Sequence, residues 1–289
     1  MDRVLGQTPG LVSCGEIFNW WQNFANPAQK CSCAKLVSEC DFWREVHARA
    51  FPTPPDIDAE WRAQRSATAI RRSRLRPLPG SFQRGPDAAQ THVAEMSARL
   101  YRAVLAVSGA SMLVDSSKRV GYGVLLARSP EFDVRMVHMV RDPRAVEYSR
   151  SFRKFALARP LVEKGLRKGG GSGPQQVWEV NLFAELARLN RVPTITVKYE
   201  DFARDPSLWS ARILQFAGIE GRPVGLSTGS LDLQTVHMAD GNPGLRFKTG
   251  LTALRVDDEW RAKLPARRKA KLTALTWPLL LRYRYPLWP

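Results

Sequence analysis

The sequence predicts an α/β fold in which a parallel β-sheet is flanked by helices. Short apolar runs have the length of buried strands, and helical patterns separate them. In chain order the predicted elements are strand 110–114, helix 119–128, strand 134–140, helix 143–157, helix 174–190 and strand 194–199. Strands that alternate with helices in this way are typical of parallel sheets covered on both faces.

Upstream of these strands the sequence predicts helices. Residues 1–9 form a helix fragment that ends at Pro9-Gly10, and Ser13 begins a second helix over 16–24. Further helices are predicted over 41–50, 58–72 and 88–107. The last of these is strongly amphipathic, because its apolar residues recur on one face.

The chain is interpreted as a single domain, 1–289. Its Pro- and Gly-rich segment 52–86 is interpreted as a lid or substrate-facing insertion. After strand 194–199, Asp201 is expected to cap the next helix. The sequence then predicts helix 204–218, an irregular stretch to Gly250 and basic helices over 258–275.

The charge balance points to an anionic ligand or partner. Lys and Arg number 44 against 27 Asp and Glu, which gives a formal net charge of +17. Such a balance suits a nucleotide, a nucleic acid or an acidic membrane surface, and a solvated Arg-rich surface is the alternative. No sequence signature of a specific nucleic-acid-binding protein occurs.

No apolar run approaches the roughly 18 residues that a transmembrane helix needs. The N-terminus also lacks a basic-then-apolar signal pattern. We therefore expect a cytoplasmic protein without a transmembrane segment. The sequence gives no indication of oligomeric state.

All four cysteines lie in the first 40 residues, at Cys14, Cys31, Cys33 and Cys40. They are compatible with a zinc site, with two disulfides or with reduced thiols packed in the core. The C-x-C spacing is poor both for disulfides and for zinc, which usually takes two to four intervening residues. The histidines show no ligand spacing either, so no metal ligand is assigned and the chemistry below requires no metal.

The most informative segment is Val134–Ser151, in which an apolar strand stops at Arg141 and Asp142-Pro143 opens a helix, with Asp142 as its expected N-cap. A helix N-terminus next to an arginine is a favourable site for an anion, because free N–H groups and a guanidinium point at one place. Ser149 lies two turns further along, on the same helix face as Asp142. A purely structural arginine is the alternative.

The residues Arg141–Val146, followed by Ser149, resemble the 3′-phosphate loop of sulfotransferases that use PAPS (3′-phosphoadenylyl sulfate). Four other stretches match that family in the expected order: Gly6–Gly10 with Cys14-Gly15-Glu16, Asp115–Lys118, Lys198–Phe202 with Asp205-Pro206, and His237–Lys248. The resemblance implies a P-loop NTPase-like fold. It also implies transfer of a sulfuryl group from PAPS, the co-substrate, to a hydroxyl or amine acceptor.

The resemblance also implies binding or charge-neutralising roles for five residues. Arg141 and Ser149 would bind the 3′-phosphate of PAPS, and Arg246 and Lys248 would form a second clamp on it. Lys118 would neutralise charge on the leaving phosphosulfate. For these basic residues, a solvated surface position is the alternative.

Glu16 is the candidate general base, since its Cys14-Gly15-Glu16 context resembles the catalytic glutamate of tyrosylprotein sulfotransferases. A structural alternative exists, because Ser13-x-x-Glu16 has the spacing of a helix capping box. In that case the carboxylate would only accept a backbone N–H. The sequence leaves both roles open.

One departure from the family concerns its first strand and the Gly/Ser/Thr-rich loop, of the type RSGTTLL, which wraps the 5′-phosphosulfate. Neither is recognisable in this sequence. Without that strand, backbone N–H and C=O groups of the neighbouring strands would lack partners, unless the sheet has a gap there or a substitute strand forms. This departure favours a start codon placed too far downstream or a truncated gene, and so an impaired enzyme.

Two other function classes remain open. One is a non-catalytic nucleotide-binding relative, and the other is a basic nucleic-acid-associated protein. Small-molecule, carbohydrate and lipid acceptors are all compatible with the sequence. Aromatic residues near Glu16 form either a sugar-stacking pocket or core, namely Trp20, Trp21, Phe24, Phe42 and Trp43.

Overall fold

The computed structural model describes residues 1–68, 86–149, 174–189 and 191–288. The strands are β1 Leu11–Gly15, β2 Met112–Asp115, β3 Met136–Val140, β4 Thr194–Lys198, β5 Leu226–Ser227, β6 Ser230–Leu233 and β7 Gly250–Ala253. About half of the predicted lid, from 69 to 85, lies outside the described residues, as does the predicted helix 143–157 beyond Ser149.

The helices that precede β3 are α1 Asp2–Leu5, α2 Trp20–Ala25, α3 Asp41–Ala50, α4 Ile57–Ala67, α5 Ala88–Ser108 and α6 Val120–Ala127. Those that follow β3 are α7 Pro143–Tyr148, α8 Pro174–Leu189, α9 Tyr199–Arg204, α10 Pro206–Ala217, α11 Pro243–Arg246, α12 Trp260–Lys263 and α13 Ala266–Arg282. None of the helices in the described ranges is long and apolar enough to cross a membrane.

Two pairs of parallel strands form the α/β part of the fold and confirm the predicted class. β1 pairs with β2 from Leu11 opposite Met112 to Gly15 opposite Asp115. β3 pairs with β4 in an unbroken register. Among the described residues the two pairs are separate sheets. They nevertheless share one apolar core, since Leu11, Val114, Val137 and Ile195 pack against the same buried cluster.

Three sequence predictions about secondary structure are wrong. Ser13 lies inside β1, so the second helix begins later than predicted. The stretch before Gly250, predicted as irregular, contains β5 and β6, which form an antiparallel sheet with β7 in the order β5-β6-β7. Asp201, which was expected to cap the next helix, lies inside α9, because α9 already begins at Tyr199. The helix that follows is capped by Asp205, whose carboxylate accepts a hydrogen bond from the Leu208 N–H.

The aromatic residues near the start of the chain form core. Trp20 and Trp43 have no exposed surface, and Trp21 is 3% exposed. They pack with α5, which is the long amphipathic helix that the sequence predicted. α5 begins in a full capping box between Asp87 and Gln90. These tryptophans therefore offer no ring face for stacking against a sugar.

A fully buried arginine ties the start of α7 to the C-terminal segment. The Arg144 guanidinium donates from Nε and Nη2 to the two carboxylate oxygens of Asp142, at 2.9 and 2.7 Å. It also donates to the carbonyls of Pro286 and Leu287, at 2.8 and 3.0 Å. Its carbon lies 5.0 Å from the centre of the Trp260 ring. Every charge in this group is paired, as burial requires.

We predict that Arg144→Met lowers the free energy of unfolding by about 3–5 kcal/mol, because it leaves the buried Asp142 carboxylate without its cation. Urea denaturation measures this loss. The control is Arg204→Met, since the Arg204 side chain is 64% exposed in a surface ion pair worth at most about 1 kcal/mol. Equal, small losses in both variants would contradict the stabilising role of the buried pair.

Candidate active site

The partly buried carboxylate of Asp115, at the end of β2, organises the turns that follow β1 and β2. It accepts hydrogen bonds from Ser117 N at 2.8 Å, Ser117 Oγ at 2.6 Å and the Tyr101 hydroxyl at 2.6 Å. A fourth donor is the backbone N of Ile17, at 3.3 Å. Burial raises the pKa of Asp115 above its ordinary value. One side chain thus connects three separate segments.

The same turns bring the two predicted catalytic residues together. Ser117 Oγ also accepts from the backbone N of Phe18 at 2.9 Å, which fixes the chain just after Glu16. Lys118 follows Ser117 directly, and its ammonium group forms an ion pair with the Glu16 carboxylate. The Lys118 side chain is 65% exposed and that of Glu16 is 21% exposed, so the pair is accessible to a ligand.

The structure removes the capping-box alternative for Glu16. Ser13 is 2% exposed and pairs with Val114 within the parallel strands, so it cannot cap a helix. The short 3-10 turn Ile17–Asn19 that begins after Glu16 has no side-chain cap. Within the described ranges, the Glu16 carboxylate accepts a hydrogen bond from the Lys118 ammonium group.

The loop over 237–242 lies directly against the Glu16 turn. Asn19 Nδ2 donates to Asp240 Oδ2 at 2.8 Å. Gly15 has φ +80°, and a Cβ there would lie only 2.0 Å from the Asp240 carbonyl oxygen. Glycine is therefore required at this position for both conformation and space.

Arg246 reaches the same loop from α11. Its Nη1 donates to the Ala239 carbonyl at 3.0 Å and lies 3.9 Å from the Asp240 carboxylate. The Arg246 side chain is 10% exposed. Its Nε is buried and has no acceptor among the described residues. The structure thus places Arg246 near the Glu16 turn.

Lys248 is exposed, and its backbone is held from the other end of the chain. Arg3 donates to the carbonyls of Lys248, Leu245 and Gln234, at 2.6, 2.7 and 2.6 Å. This arginine is 6% exposed, and the sequence patterns did not single it out. A joint clamp of Arg246 and Lys248 on one phosphate stays a prediction.

Arg141 follows β3 and is engaged on two sides. Its Nη2 donates to the Asp257 carbonyl at 2.9 Å and lies 3.1 Å from the Asp257 carboxylate. The guanidinium carbon lies 4.3 Å from the centre of the Tyr199 ring. Its Nε is buried without an acceptor in the described part of the chain. Ser149 is half-buried at the end of α7.

The start of α7 is occupied by its own cap. Asp142 accepts from the backbone N of Arg144, as predicted, and it also binds the Arg144 guanidinium. Its carboxylate therefore lies where the sequence analysis expected an incoming anion. A polar cavity of about 260 Å³ lies nearby, and its described lining includes Asp257 but neither Arg141 nor Ser149.

A second group of side chains joins three of the four cysteines to a histidine that the sequence did not associate with them. Ligand atoms of Cys31, Cys33, Cys40 and His237 all lie within 4.8 Å of one another. All four cysteines of the chain, Cys14 included, are free thiols in the structure. His237 is 197 positions from Cys40, so no local spacing in the sequence could have indicated the contact.

Comparison with known proteins adds independent information. A family model described as "Sulfotransferase family" matches residues 42–223. The chain is similar to carbohydrate sulfotransferase 6 of Homo sapiens, 34% identical over 158 residues, which is 48% of this chain and 38% of that protein. It is also similar to carbohydrate sulfotransferase 5 of Mus musculus, 27% identical over 248 residues, which is 78% of this chain and 56% of that protein.

A third relative is carbohydrate sulfotransferase 3 of Homo sapiens, 28% identical over 175 residues, which is 56% of this chain and 36% of that protein. The chain thus spans less than two thirds of the length of each of these relatives. No solved structure matches it. The family match contains Lys118, Arg141 and Ser149, whereas Glu16, Arg246 and Lys248 lie outside it.

We predict that Arg141→Ala weakens binding of adenosine 3′,5′-bisphosphate by roughly tenfold or more, because a charged hydrogen bond contributes about 1.5–3 kcal/mol. Isothermal titration calorimetry measures this change. The matched control is Arg135→Ala. Arg135 lies just before β3, at the opposite end of that strand from Arg141, and it pairs with Asp133. Equal affinity of both variants would remove Arg141 from the nucleotide site.

Proposed function

We propose, because this chain belongs to the sulfotransferase family, that it transfers a sulfuryl group from PAPS to a hydroxyl group of a carbohydrate. The observation that carries this proposal is the Glu16–Lys118 ion pair at the ends of β1 and β2. It combines the carboxylate and the cation that the reaction needs at one accessible place. The family resemblance in the sequence is confirmed by the family match.

The residues present fit a nucleotide with several phosphate groups. Arg141 and Arg246 each keep a buried Nε without an acceptor among the described residues. An unsatisfied buried donor costs about 1–3 kcal/mol, and phosphate oxygens would remove that cost. When bound, PAPS supplies an activated sulfuryl group whose leaving group is the bisphosphate. Arg141 with Ser149, and Arg246 with Lys248, would hold its phosphates.

Lys118 and Glu16 have complementary tasks in this proposal. The Lys118 ammonium group would lie close to the negative charge that develops as the leaving group departs. The Glu16 carboxylate would accept the proton of the acceptor hydroxyl. In the structure the two groups neutralise each other. Each must therefore exchange this partner for substrate, which the exposure of Lys118 permits.

The carbohydrate acceptor is proposed from the relatives. All three named above are carbohydrate sulfotransferases. The buried tryptophans near Glu16 do not support a stacked sugar, because they lie in the core. Recognition of the acceptor would then depend on polar groups around the ion pair. Asn19 and Asp240 are such groups, since both adjoin the Glu16 turn.

A transfer assay tests the proposed function. Purified protein is incubated with sulfur-35-labelled PAPS and a panel of polysaccharides and oligosaccharides, and labelled product is separated from the donor. Binding of adenosine 3′,5′-bisphosphate is measured in parallel by calorimetry. Binding without transfer to any acceptor would instead identify a non-catalytic nucleotide binder. Failure of both, together with salt-sensitive binding of DNA or RNA, would favour a nucleic-acid-associated protein.

We predict that Glu16→Gln lowers kcat by roughly 10²- to 10⁴-fold, because glutamine keeps the shape of the side chain but cannot accept a proton. The affinity for adenosine 3′,5′-bisphosphate should stay unchanged. Glu45→Gln is the control, since Glu45 is an exposed residue of α3 that pairs with Arg49. Retention of full activity in Glu16→Gln would refute the assignment of the base.

A further inference from the structure

Three cysteines and one histidine have the spacing of a tetrahedral metal site. His237 Nδ1 lies 3.3 Å from Cys40 Sγ and 3.8 Å from Cys31 Sγ. Cys33 Sγ lies 3.6 Å from Cys40 Sγ. With Zn–S bonds of about 2.3 Å and Zn–N bonds of about 2.0 Å, a tetrahedral zinc ion separates S and N by about 3.5 Å and two sulfurs by about 3.8 Å. The three distances in the structure agree with these separations.

We propose that Cys31, Cys33, Cys40 and His237 bind one Zn²⁺ ion in a closed, structural site. Three thiolates and one imidazole are a ligand set that zinc takes in tetrahedral sites. Binding releases the protons of three thiols to solvent. Four protein ligands leave no open position, so the ion would not take part in the transfer reaction. The proposal holds whether or not the chain transfers sulfate.

Hydrogen bonds hold the cysteine turn and the segment around His237 against each other. Ser32 lies between Cys31 and Cys33, and it binds the residues on both sides of His237. Its Oγ donates to the Val236 carbonyl. The same Oγ accepts from the Met238 N–H at 2.8 Å, and the Ser32 N–H donates to the Met238 carbonyl at 3.1 Å. The histidine is thereby held opposite the two thiols without help from a metal.

The unusual C-x-C spacing is accommodated by a tight turn. Cys31 N donates to the Lys35 carbonyl at 2.8 Å, and Ala34 N donates to the Cys31 carbonyl at 2.9 Å. Ala34 adopts φ +73°, a left-handed conformation that alanine rarely takes. The turn directs both sulfurs to the same side as Cys40. Local strain of this kind is typical of segments whose geometry serves a site.

The surroundings also support a metal. Cys31 and Cys40 have no exposed surface, and the other two ligands are half-buried. The His237 ring stacks on Phe42 with an interplanar angle of 8° and a centroid distance of 4.9 Å, which fixes its orientation. An oriented, largely enclosed imidazole among three thiols needs little reorganisation to bind an ion.

The site would connect the N-terminal core to the loop that adjoins Glu16. His237 begins this loop, and Asp240 within it contacts Asn19 and lies close to Gly15. Gln29 Nε2 donates to the Ala239 carbonyl at 2.7 Å, so the link runs along the whole loop. A bound ion would hold Arg246, which contacts the same carbonyl, in its place.

Metal analysis of the untagged protein tests the proposal. We expect inductively coupled plasma mass spectrometry to find about one zinc ion per chain. Cys33→Ser and His237→Ala should reduce zinc to background, whereas His237→Cys should retain it through a fourth thiolate. Cys14→Ala is the matched control, because Cys14 is the remaining cysteine, is buried and lies outside the cluster.

Two measurements on the unmutated chain keep the test decisive even if a variant does not fold. Replacement of zinc by Co²⁺ should produce the ligand-field and thiolate charge-transfer absorption of a tetrahedral site. Modification of the thiols by a mercurial reagent should release zinc to a chromogenic chelator in step with thiol loss. Metal-free protein with four reactive thiols, or protein lighter by two hydrogens because of a disulfide, would overturn the proposal.

Hydrogen exchange separates a structural ion from one bound without consequence. After removal of zinc by a chelator, backbone amides in 31–40 and 236–246 should exchange at least several-fold faster, because the ion closes the link between them. Amides of β3 and β4 should be unaffected, since neither strand contributes a ligand. Unchanged exchange in both ligand segments would contradict the structural role.

Discussion

The arrangement of the candidate active site depends on one partly buried carboxylate with four hydrogen-bond donors. Asp115 accepts hydrogen bonds from Tyr101 in α5, from Ser117 and from the backbone of Ile17. A charge removed from water in this way requires several donors, and the fold supplies them from three segments. The turns after β1 and β2 therefore have little freedom to separate. Both candidate catalytic side chains project from these turns, so their ion pair is a consequence of the Asp115 network.

The strand end at Val140 is organised by a different device. Here Arg144 and Asp142 form a buried pair that joins α7 to the C-terminal segment. The connection between these segments is thus made by Arg144 and Asp142. Arg141 lies next to Asp257 and Tyr199 instead. Two arginines three positions apart thus have opposite surroundings, one fully satisfied and one with a buried Nε that lacks an acceptor among the described residues. That difference supports a ligand-binding role for Arg141.

Much of the α/β part could be predicted from sequence, because apolar runs and capping residues are local signals. The strand before Arg141, the amphipathic helix α5 and the Asp142 cap were all found in this way. Ser13 was assigned to the start of a helix although it lies in β1. This strand spans only five residues, which are too few to show the two-residue alternation of a strand next to the aromatic residues that follow. The contact of His237 with the cysteines joins positions about 200 residues apart, so only the folded chain reveals it.

A double-mutant cycle between Tyr101 and Asp115 tests whether the Asp115 carboxylate organises the candidate active site. Urea unfolding at neutral pH would be measured for Tyr101→Phe, Asp115→Asn and the double variant. Because the Tyr101 hydroxyl lies 2.6 Å from the carboxylate, we expect a coupling energy of about 1–3 kcal/mol. Additive losses, with a coupling below about 0.5 kcal/mol, would show that this carboxylate does not organise the site.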